Sequence, residues 1–118
     1  MMRENTILDK SFHFAVRIVR LCQYLNADKK EYILSKQLLC SGTSIGANIA
    51  EAQQGQSKKD FHMKMNISLK ECSETKYWLH LLMATGYLTE NENESISTDC
   101  IELEKLLTTI VKTTSELS

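Results

Sequence analysis

Two glutamates one turn apart, Glu71 and Glu74, are the residues whose type and spacing most resemble a catalytic or metal-binding pair. Carboxylates at this spacing share one side of a helix, and di-iron bundle proteins combine them with Glu-x-x-His pairs on two helices. None of the three histidines has a glutamate three residues before it; the residues found there are Lys10, Lys59 and Tyr77. The sequence therefore excludes that metal site, and we predict no metal and no other cofactor.

Asn48 and Glu51 form a second candidate pair within the segment 37–52, QLLCSGTSIGANIAEA. At helical steps of four and three residues, this segment carries an apolar line beside a polar line. The apolar line is Leu38, Gly42, Ile45, Ile49 and Ala52, and the polar line is Gln37, Ser41, Ser44, Asn48 and Glu51. Such a polar line can hold a ligand, or it can specify the register of packed helices or subunits.

The register interpretation is favoured because no histidine, nucleophile–base pair or metal-ligand cluster lies near Asn48 in the sequence. The same interpretation applies to the two glutamates of the first pair. We expect each of them to form an ion pair with a lysine of its own helix or with a basic residue of another helix. The predicted register-specifying residues are Ser44, Asn48, Glu51, Glu71 and Glu74. No catalytic residue is predicted, and we expect a protein that is not an enzyme.

Two adjacent cations, Lys58 and Lys59, fall in the first turn of a predicted helix, where the helix dipole disfavours positive charge. Solvated lysines beside Asp60 are the simpler interpretation. The alternative is an anion site, in which the free amides of the helix start and both lysines meet a phosphate of RNA or DNA. Arg17 and Arg20, one turn apart on an earlier helix, are candidates to extend that site.

Composition favours one helical domain over residues 1–118, because the chain has no proline and only four glycines. The net charge is −1, so no global field attracts nucleic acid or a membrane. The charge is unevenly distributed: residues 1–60 carry nine Lys and Arg against six Asp and Glu, and residues 61–118 carry five against nine. An anion site is therefore expected in the first half of the chain or at its junction with the second half.

Four cysteines, at positions 22, 40, 72 and 100, are widely spaced and form no Cys-x-x-Cys pair. Each lies among apolar neighbours, so we predict reduced, buried thiols rather than disulfides or a zinc site. The N-terminal residues contain no apolar signal region, and no apolar run is long enough to span a bilayer. We expect a soluble cytoplasmic protein without a membrane partner.

Four amphipathic segments account for most of the chain: residues 9–26, 29–53, about 58–85 and about 94–114. Asp9 or Ser11 is expected to cap the first, Ser57 the third, and Gly86 to end the third. Gly42 and Gly46 predict a close helix crossing near Gly42, with a bend as the alternative. Short connections between four helices predict an all-α fold, an antiparallel up-down-up-down four-helix bundle.

The third segment carries more apolar residues than one core can cover. Phe61, Met63, Met65, Ile67 and Leu69 alternate with polar residues, as in a strand, but no turn separates them from a strongly helical continuation. As a helix, this segment is apolar on more than one side, which predicts an interface with another subunit. The candidate core or interface residues are Ile45, Ile49, Phe61, Met65 and Trp78.

Three runs, SKQLLCSGTSIGANIAEA, SKKDFHMKMNISLKE and ETKYWLHLLMATGYL, make the chain similar to a known bacterial family from Phe14 to about Leu88. It resembles the four-helix bundle proteins first met as reading frames inside intervening sequences of 23S rRNA genes, also labelled S23 ribosomal proteins. Cys40 departs from the basic residue that relatives often carry there, and Cys72 from a small residue.

The resemblance implies an antiparallel bundle that assembles into a homopentamer, so the first expected partner is the protein itself. A related branch of the family serves as accessory protein to reverse transcriptases of diversity-generating retroelements. By that analogy, RNA or DNA and a reverse transcriptase are the alternative partners. The expectations are thus an assembly or adaptor protein or, alternatively, a nucleic-acid-binding accessory factor.

Overall fold

The computed structural model describes residues 6–117, which form four α-helices joined by short connections: α1 Thr6–Ala27, α2 Leu34–Ala52, α3 Lys58–Ala84 and α4 Glu90–Leu117. Helices adjacent in the chain pack side by side, and α1 and α4 close the bundle less tightly. Residues 6–117 contain no strand, so the predicted all-α four-helix bundle is confirmed. Residues 1–5 and 118, which the predicted domain included, lie outside the described residues.

The starts of α1 and α2 differ from the predicted ones. α1 begins at Thr6, so Asp9 falls in its first turn and Ser11 is buried inside it; neither residue caps the helix. α2 begins at Leu34 and not at residue 29, because the backbone turns at Lys30, whose φ is 56°. The side chain of Glu31 then satisfies the first amides of α2 from outside the helix.

Local side-chain chemistry defines the boundaries of α3 and α4. The Ser57 hydroxyl accepts a hydrogen bond from the Asp60 amide at 3.1 Å, which confirms the predicted cap of α3. Gly86, with φ of +89°, ends that helix as predicted. α4 begins four residues earlier than predicted because Thr89 and Glu92 exchange backbone and side-chain hydrogen bonds in a reciprocal capping box.

The close helix crossing near Gly42 is confirmed, and its partner is α1. A Cβ atom placed on Gly42 would lie 2.8 Å from two side-chain carbons of Ile18, and one on Gly46 would lie 3.2 Å from the carbonyl oxygen of Ser11. Since Ile18 is fully buried, it has no space into which to move. Glycine therefore allows α1 and α2 to approach at this level.

One continuous apolar core runs along the bundle and includes Ile45, Ile49 and Met65, with Phe61 and Trp78 half-buried against it. Cys22, Cys72 and Cys100 are buried free thiols, whereas Cys40 is exposed, so the prediction of a buried Cys40 was wrong. Cys40 follows the buried Leu38 by two residues, about 200° around a helix, which turns its side chain away from the core.

Candidate functional site

The predicted register-specifying residues lie together on one side of the bundle. The buried Thr75 hydroxyl donates to Ser41 Oγ at 3.0 Å, and the Ser68 hydroxyl donates to the carbonyl oxygen of Ile45 at 2.8 Å. These bonds set the antiparallel register of α2 and α3, which places Ser44 level with Glu71. We define the α2–α3 face as the outer surface carrying Ser44, Asn48, Glu51, Met63, Ile67, Glu71, Glu74 and Trp78.

Within this subunit, Ser44 and Asn48 bond their own helix. Asn48 Nδ2 donates to the carbonyl oxygen of Ser44 at 2.8 Å, and Ser44 Oγ donates to the carbonyl oxygen of Cys40 at 2.6 Å. Glu51 does reach α3, where Lys64 Nζ lies 2.7 Å from its carboxylate, but the pair is exposed and such pairs stabilise by only about 0–1 kcal/mol.

The buried bonds between α2 and α3 come from residues that the sequence did not single out, Ser68 and Thr75. Both are fully buried, together with Ser41 from the polar line. Their spacing was the available signal, because positions 68, 72 and 75 form one helical line of small residues inside α3.

Glu71 and Glu74 lie side by side on the α2–α3 face, and no metal-binding cluster of three or more His, Cys, Asp or Glu side chains forms around them within residues 6–117. Glu71 is half-buried and receives no side-chain hydrogen bond within residues 6–115. Burial, followed by the neighbouring Glu74 charge, raises the pKa of its carboxyl group. Glu74 accepts a hydrogen bond from Trp78 Nε1 at 3.1 Å. Glu71 thus retains unused acceptor capacity at a partly dehydrated surface.

The four candidate anion-binding residues do not form one cluster within a subunit. Arg17 is bound to α4, with Nη1 at 2.6 Å from Asp99 and Nη2 at 2.9 Å from Ser95 Oγ. Arg20 donates to Gln23 Oε1 at 3.2 Å. Both arginines belong to α1, which lies diagonally across the bundle from α3.

Lys58 and Lys59 lie exposed at the start of α3. Arg17 pairs with Asp99, and the adjacent Cys100 donates its thiol proton to the carbonyl oxygen of Cys72 at 3.6 Å. Arg17 is therefore near the level of Cys72, roughly 20 Å along the axis from Lys58 at about 1.5 Å per residue. Any site that uses all four cations would need more than one subunit.

A second outer surface, which the sequence did not indicate, is formed by α1 and α2. We define the α1–α2 face as the surface carrying Phe12, Val16, Val19, Lys36, Leu39, Thr43, Ala47 and Ala50. Phe12 is 66% exposed, and Val16, Val19 and Leu39 are also exposed. A groove of about 440 Å³ runs between the two helices under Phe12 and is lined by Ala15, Gly46 and Ala47 among others.

Neither a metal-binding cluster nor a membrane-spanning helix is present among residues 6–117. Residues 6–117 contain no group of three or more His, Cys, Asp or Glu side chains positioned to hold a metal ion. No helix in this range is both long and apolar enough to cross a membrane. Four antiparallel helices with a continuous apolar core and two partly apolar outer faces define a small helical-bundle protein.

The chain belongs to the 23S rRNA-intervening sequence protein family, whose model matches residues 3–109. It is also similar to a protein of unknown function from the S23 ribosomal protein family of Bacteroides thetaiotaomicron VPI-5482, known from a crystal structure. The two are 56% identical, with a TM-score of 0.89 over 90% of this chain and 98% of the other. No functionally curated protein matches the chain significantly.

Proposed function

We propose that the protein is a non-enzymatic homo-oligomer that acts as an assembly or adaptor module, with five subunits as the number that the family resemblance implies. The observation that carries the proposal is the exposure of large apolar side chains on two outer faces. Phe12, Val16, Val19 and Leu39 are exposed on one face, and Met63 and Ile67 on the other. Apolar surface clustered in this way is typical of protein–protein interfaces.

Light scattering coupled to size exclusion at micromolar protein concentration tests the assembly. We expect a single species of about five times the 13.5 kDa subunit mass, and stable on dilution through the micromolar range. A monomer mass under these conditions would contradict the proposal. Circular dichroism of the same sample confirms that the helices are folded.

The alternative function, a nucleic-acid-binding accessory factor to a structured RNA or a reverse transcriptase, is supported by Lys58 and Lys59. Both are exposed in the first turn of α3 and form no ion pair with another residue of the described chain. In a homo-oligomer this lysine pair is repeated once per subunit, so weak phosphate contacts add through multivalency. Without a base-reading motif, such binding would be insensitive to sequence.

Fluorescence anisotropy with labelled structured RNA and duplex DNA, measured over a salt series, tests this alternative. Replacing both Lys58 and Lys59 with alanine should weaken binding and reduce the slope of log K against log salt, with the oligomer intact. The matched control replaces Lys105 and Lys112, two exposed lysines of α4, with alanine. No binding by the wild-type protein at low salt, or an equal loss in the control, would leave the adaptor function alone.

A further inference from the structure

We propose that the connection between α1 and α2, residues 28–33, is a docking site for an acidic segment of a partner protein in which Asp or Glu side chains are combined with apolar ones. We call this connection the 28–33 loop. The inference rests on the proposed adaptor function and names the kind of partner that the adaptor holds. The apolar side chains of the segment cover Tyr32 and Ile33, and its carboxylates meet the lysines beside them.

Two large side chains of the loop extend into water. Ile33 is 77% exposed, more than any other large apolar side chain in the described part of the chain, and Tyr32 beside it is 59% exposed. Neither belongs to the apolar core or to the residues packed against it. The packing of the subunit therefore does not explain why these two residues are apolar and aromatic.

Local helix chemistry does not explain them either. Ile33 occupies the N-cap position of α2, where Ser, Thr, Asp or Asn is preferred and isoleucine is among the poorest residues. Three residues earlier, Lys30 has a φ of 56°, a left-handed conformation that is uncommon for any residue except glycine. Residues that favour neither the local structure nor the packing are typical of positions that serve a function.

Hydrogen bonds hold the loop in this shape from both ends. The Asp28 amide donates to the carbonyl oxygen of Tyr24 at 2.9 Å. The Glu31 amide donates to the carbonyl oxygen of Leu25, also at 2.9 Å, and the buried Glu31 carboxylate accepts from three amides at the start of α2. The two exposed side chains extend from this bonded backbone, so a partner meets a preformed surface and binding orders little of the loop.

Three lysines surround the exposed pair. Lys29 and Lys30 precede it in the loop, and Lys36 lies one helical turn after Ile33 on the same side of α2. All three are exposed, and none forms an ion pair with another residue in the range 6–115. The Glu31 carboxylate is already bonded to backbone amides. Apolar surface bordered by unpaired cations is complementary to a segment that carries apolar side chains and carboxylates.

A flat anionic surface, such as a membrane, fits this end of the bundle less well than a peptide segment does. In an antiparallel bundle the α1–α2 and α3–α4 connections lie at the same end, and the second is followed by the exposed Glu90 and Glu92. Together with Asp28, these carboxylates would be repelled by anionic lipid headgroups. A narrow peptide segment can contact the 28–33 loop alone.

Single-stranded nucleic acid also fits the loop less well. Proteins that bind it without reading bases stack successive bases on several aromatic side chains. The loop offers one exposed ring, that of Tyr32, and its more exposed neighbour Ile33 has no π-face on which a base can stack. Contact with apolar side chains of a peptide uses both residues.

A phage-displayed library of short random peptides, selected on the full-length wild-type protein, tests the inference. We expect the enriched peptides to combine Asp or Glu with Leu, Ile, Phe or Trp. One enriched peptide is then synthesised with a fluorescent label, and its dissociation constant is measured by anisotropy. The dissociation constant should rise with added salt, because salt screens the attraction between exposed lysines and carboxylates.

Ile33→Ser is the decisive variant because it removes the apolar contact and places a preferred N-cap residue at the start of α2. We expect this variant to stay folded and the dissociation constant of the peptide to rise about tenfold. Ile101→Ser is the matched control: Ile101 is an exposed isoleucine of α4, outside the loop, and its variant should bind like the wild type. Replacing Lys29 and Lys36 with glutamine should weaken binding and reduce its dependence on salt.

The remaining outcomes would overturn the inference. They are no enriched peptide, enriched peptides without acidic residues, and equal binding of the peptide by Ile33→Ser and the wild type. Binding of oligothymidylate or of phosphatidylglycerol vesicles that is lost in Ile33→Ser would instead assign the loop to nucleic acid or to a membrane.

Light scattering separates this inference from the proposed homo-oligomer. Ile33→Ser should retain the wild-type mass. A smaller mass would show that the loop contacts a second copy of the chain, which would overturn the docking inference while the homo-oligomer stands. A monomeric wild type that binds the acidic peptide through Ile33 would contradict the homo-oligomer alone.

Discussion

Glu31 and Ser35 bind each other twice at the start of α2. Glu31 Oε1 accepts a hydrogen bond from the Ser35 amide at 2.8 Å, and Ser35 Oγ donates to the carbonyl oxygen of Glu31 at 3.1 Å. The second carboxylate oxygen accepts from the amides of Ile33 and Leu34 at 3.1 and 2.8 Å. Ile33, at the N-cap position, has no side-chain acceptor, so Glu31 replaces the usual cap.

Removal of this carboxylate should destabilise the bundle. We expect Glu31→Ala to lower the free energy of unfolding by about 1–2 kcal/mol, because three amides lose their acceptor and the buried position keeps little water. Urea denaturation monitored by circular dichroism measures the change. Glu94→Ala, which removes an exposed glutamate from α4, is the control and should change stability by less than about 0.5 kcal/mol.

The contribution of Glu31 should depend on pH. Burial acts to raise the pKa of its carboxyl group, but the hydrogen bonds from Leu34, Ser35 and Ile33 together outweigh burial and hold the pKa below its ordinary value. A depressed folded-state pKa gives stability that is complete above the ordinary value and is lost as the pH falls through the folded-state pKa.

The stability difference between the wild type and Glu31→Gln measures this effect from pH 7 down to pH 2. We expect the difference to be constant near neutrality and to shrink as the solution becomes more acidic. Taking the difference cancels the opposite contribution of Glu71, whose pKa is raised by burial and by Glu74. A difference that stays the same across the whole range would show that Glu31 does not act as a charged cap.

Gly42→Ala should destabilise the protein although alanine is the better helix former. The helix gains about 1 kcal/mol from the substitution, but the new Cβ lies 2.8 Å from Ile18, and such overpacking costs about 1–3 kcal/mol. A double-mutant cycle with Ile18→Ala isolates the clash. The double variant should be more stable than the sum of the two single changes predicts, by about 1 kcal/mol or more; simple additivity would contradict the steric account.

Thiol reactivity should distinguish Cys40 from the other three cysteines. Burial, with Glu31 and Cys40 nearby, raises the pKa of Cys22 to about 11, and a hydrogen bond with Cys100 followed by burial raises that of Cys72. Because thiolates are the reactive species, Cys40 should react with Ellman's reagent first and the other three only after unfolding. If the folded Cys40→Ser variant still contained a thiol that reacts rapidly, the assignment of Cys40 as the accessible thiol would be wrong.

The sequence by itself determined the helical class, the number of helices and the side of α1, α2 and α4 that forms the core. These features follow from the periodicity of apolar residues and from the capping of helix ends. The spacing of Ile45 and Ile49, the Ser57 cap and the Gly86 turn each involve residues no more than one or two helical turns apart. The same reasoning missed the capping box at Thr89 and Glu92, although its pattern is equally local.

Only the tertiary structure decided which residues meet across helices. Asn48, although it belongs to the polar line, bonds its own helix, whereas Ser68 and Thr75 form the buried bonds to α2. Arg17 is level with Cys72 and not with Lys58, so the predicted cation cluster does not form within one subunit. Contacts of this kind depend on the relative height and rotation of two helices. Periodicity along a single helix fixes neither quantity; packing at sites such as Gly42 fixes both.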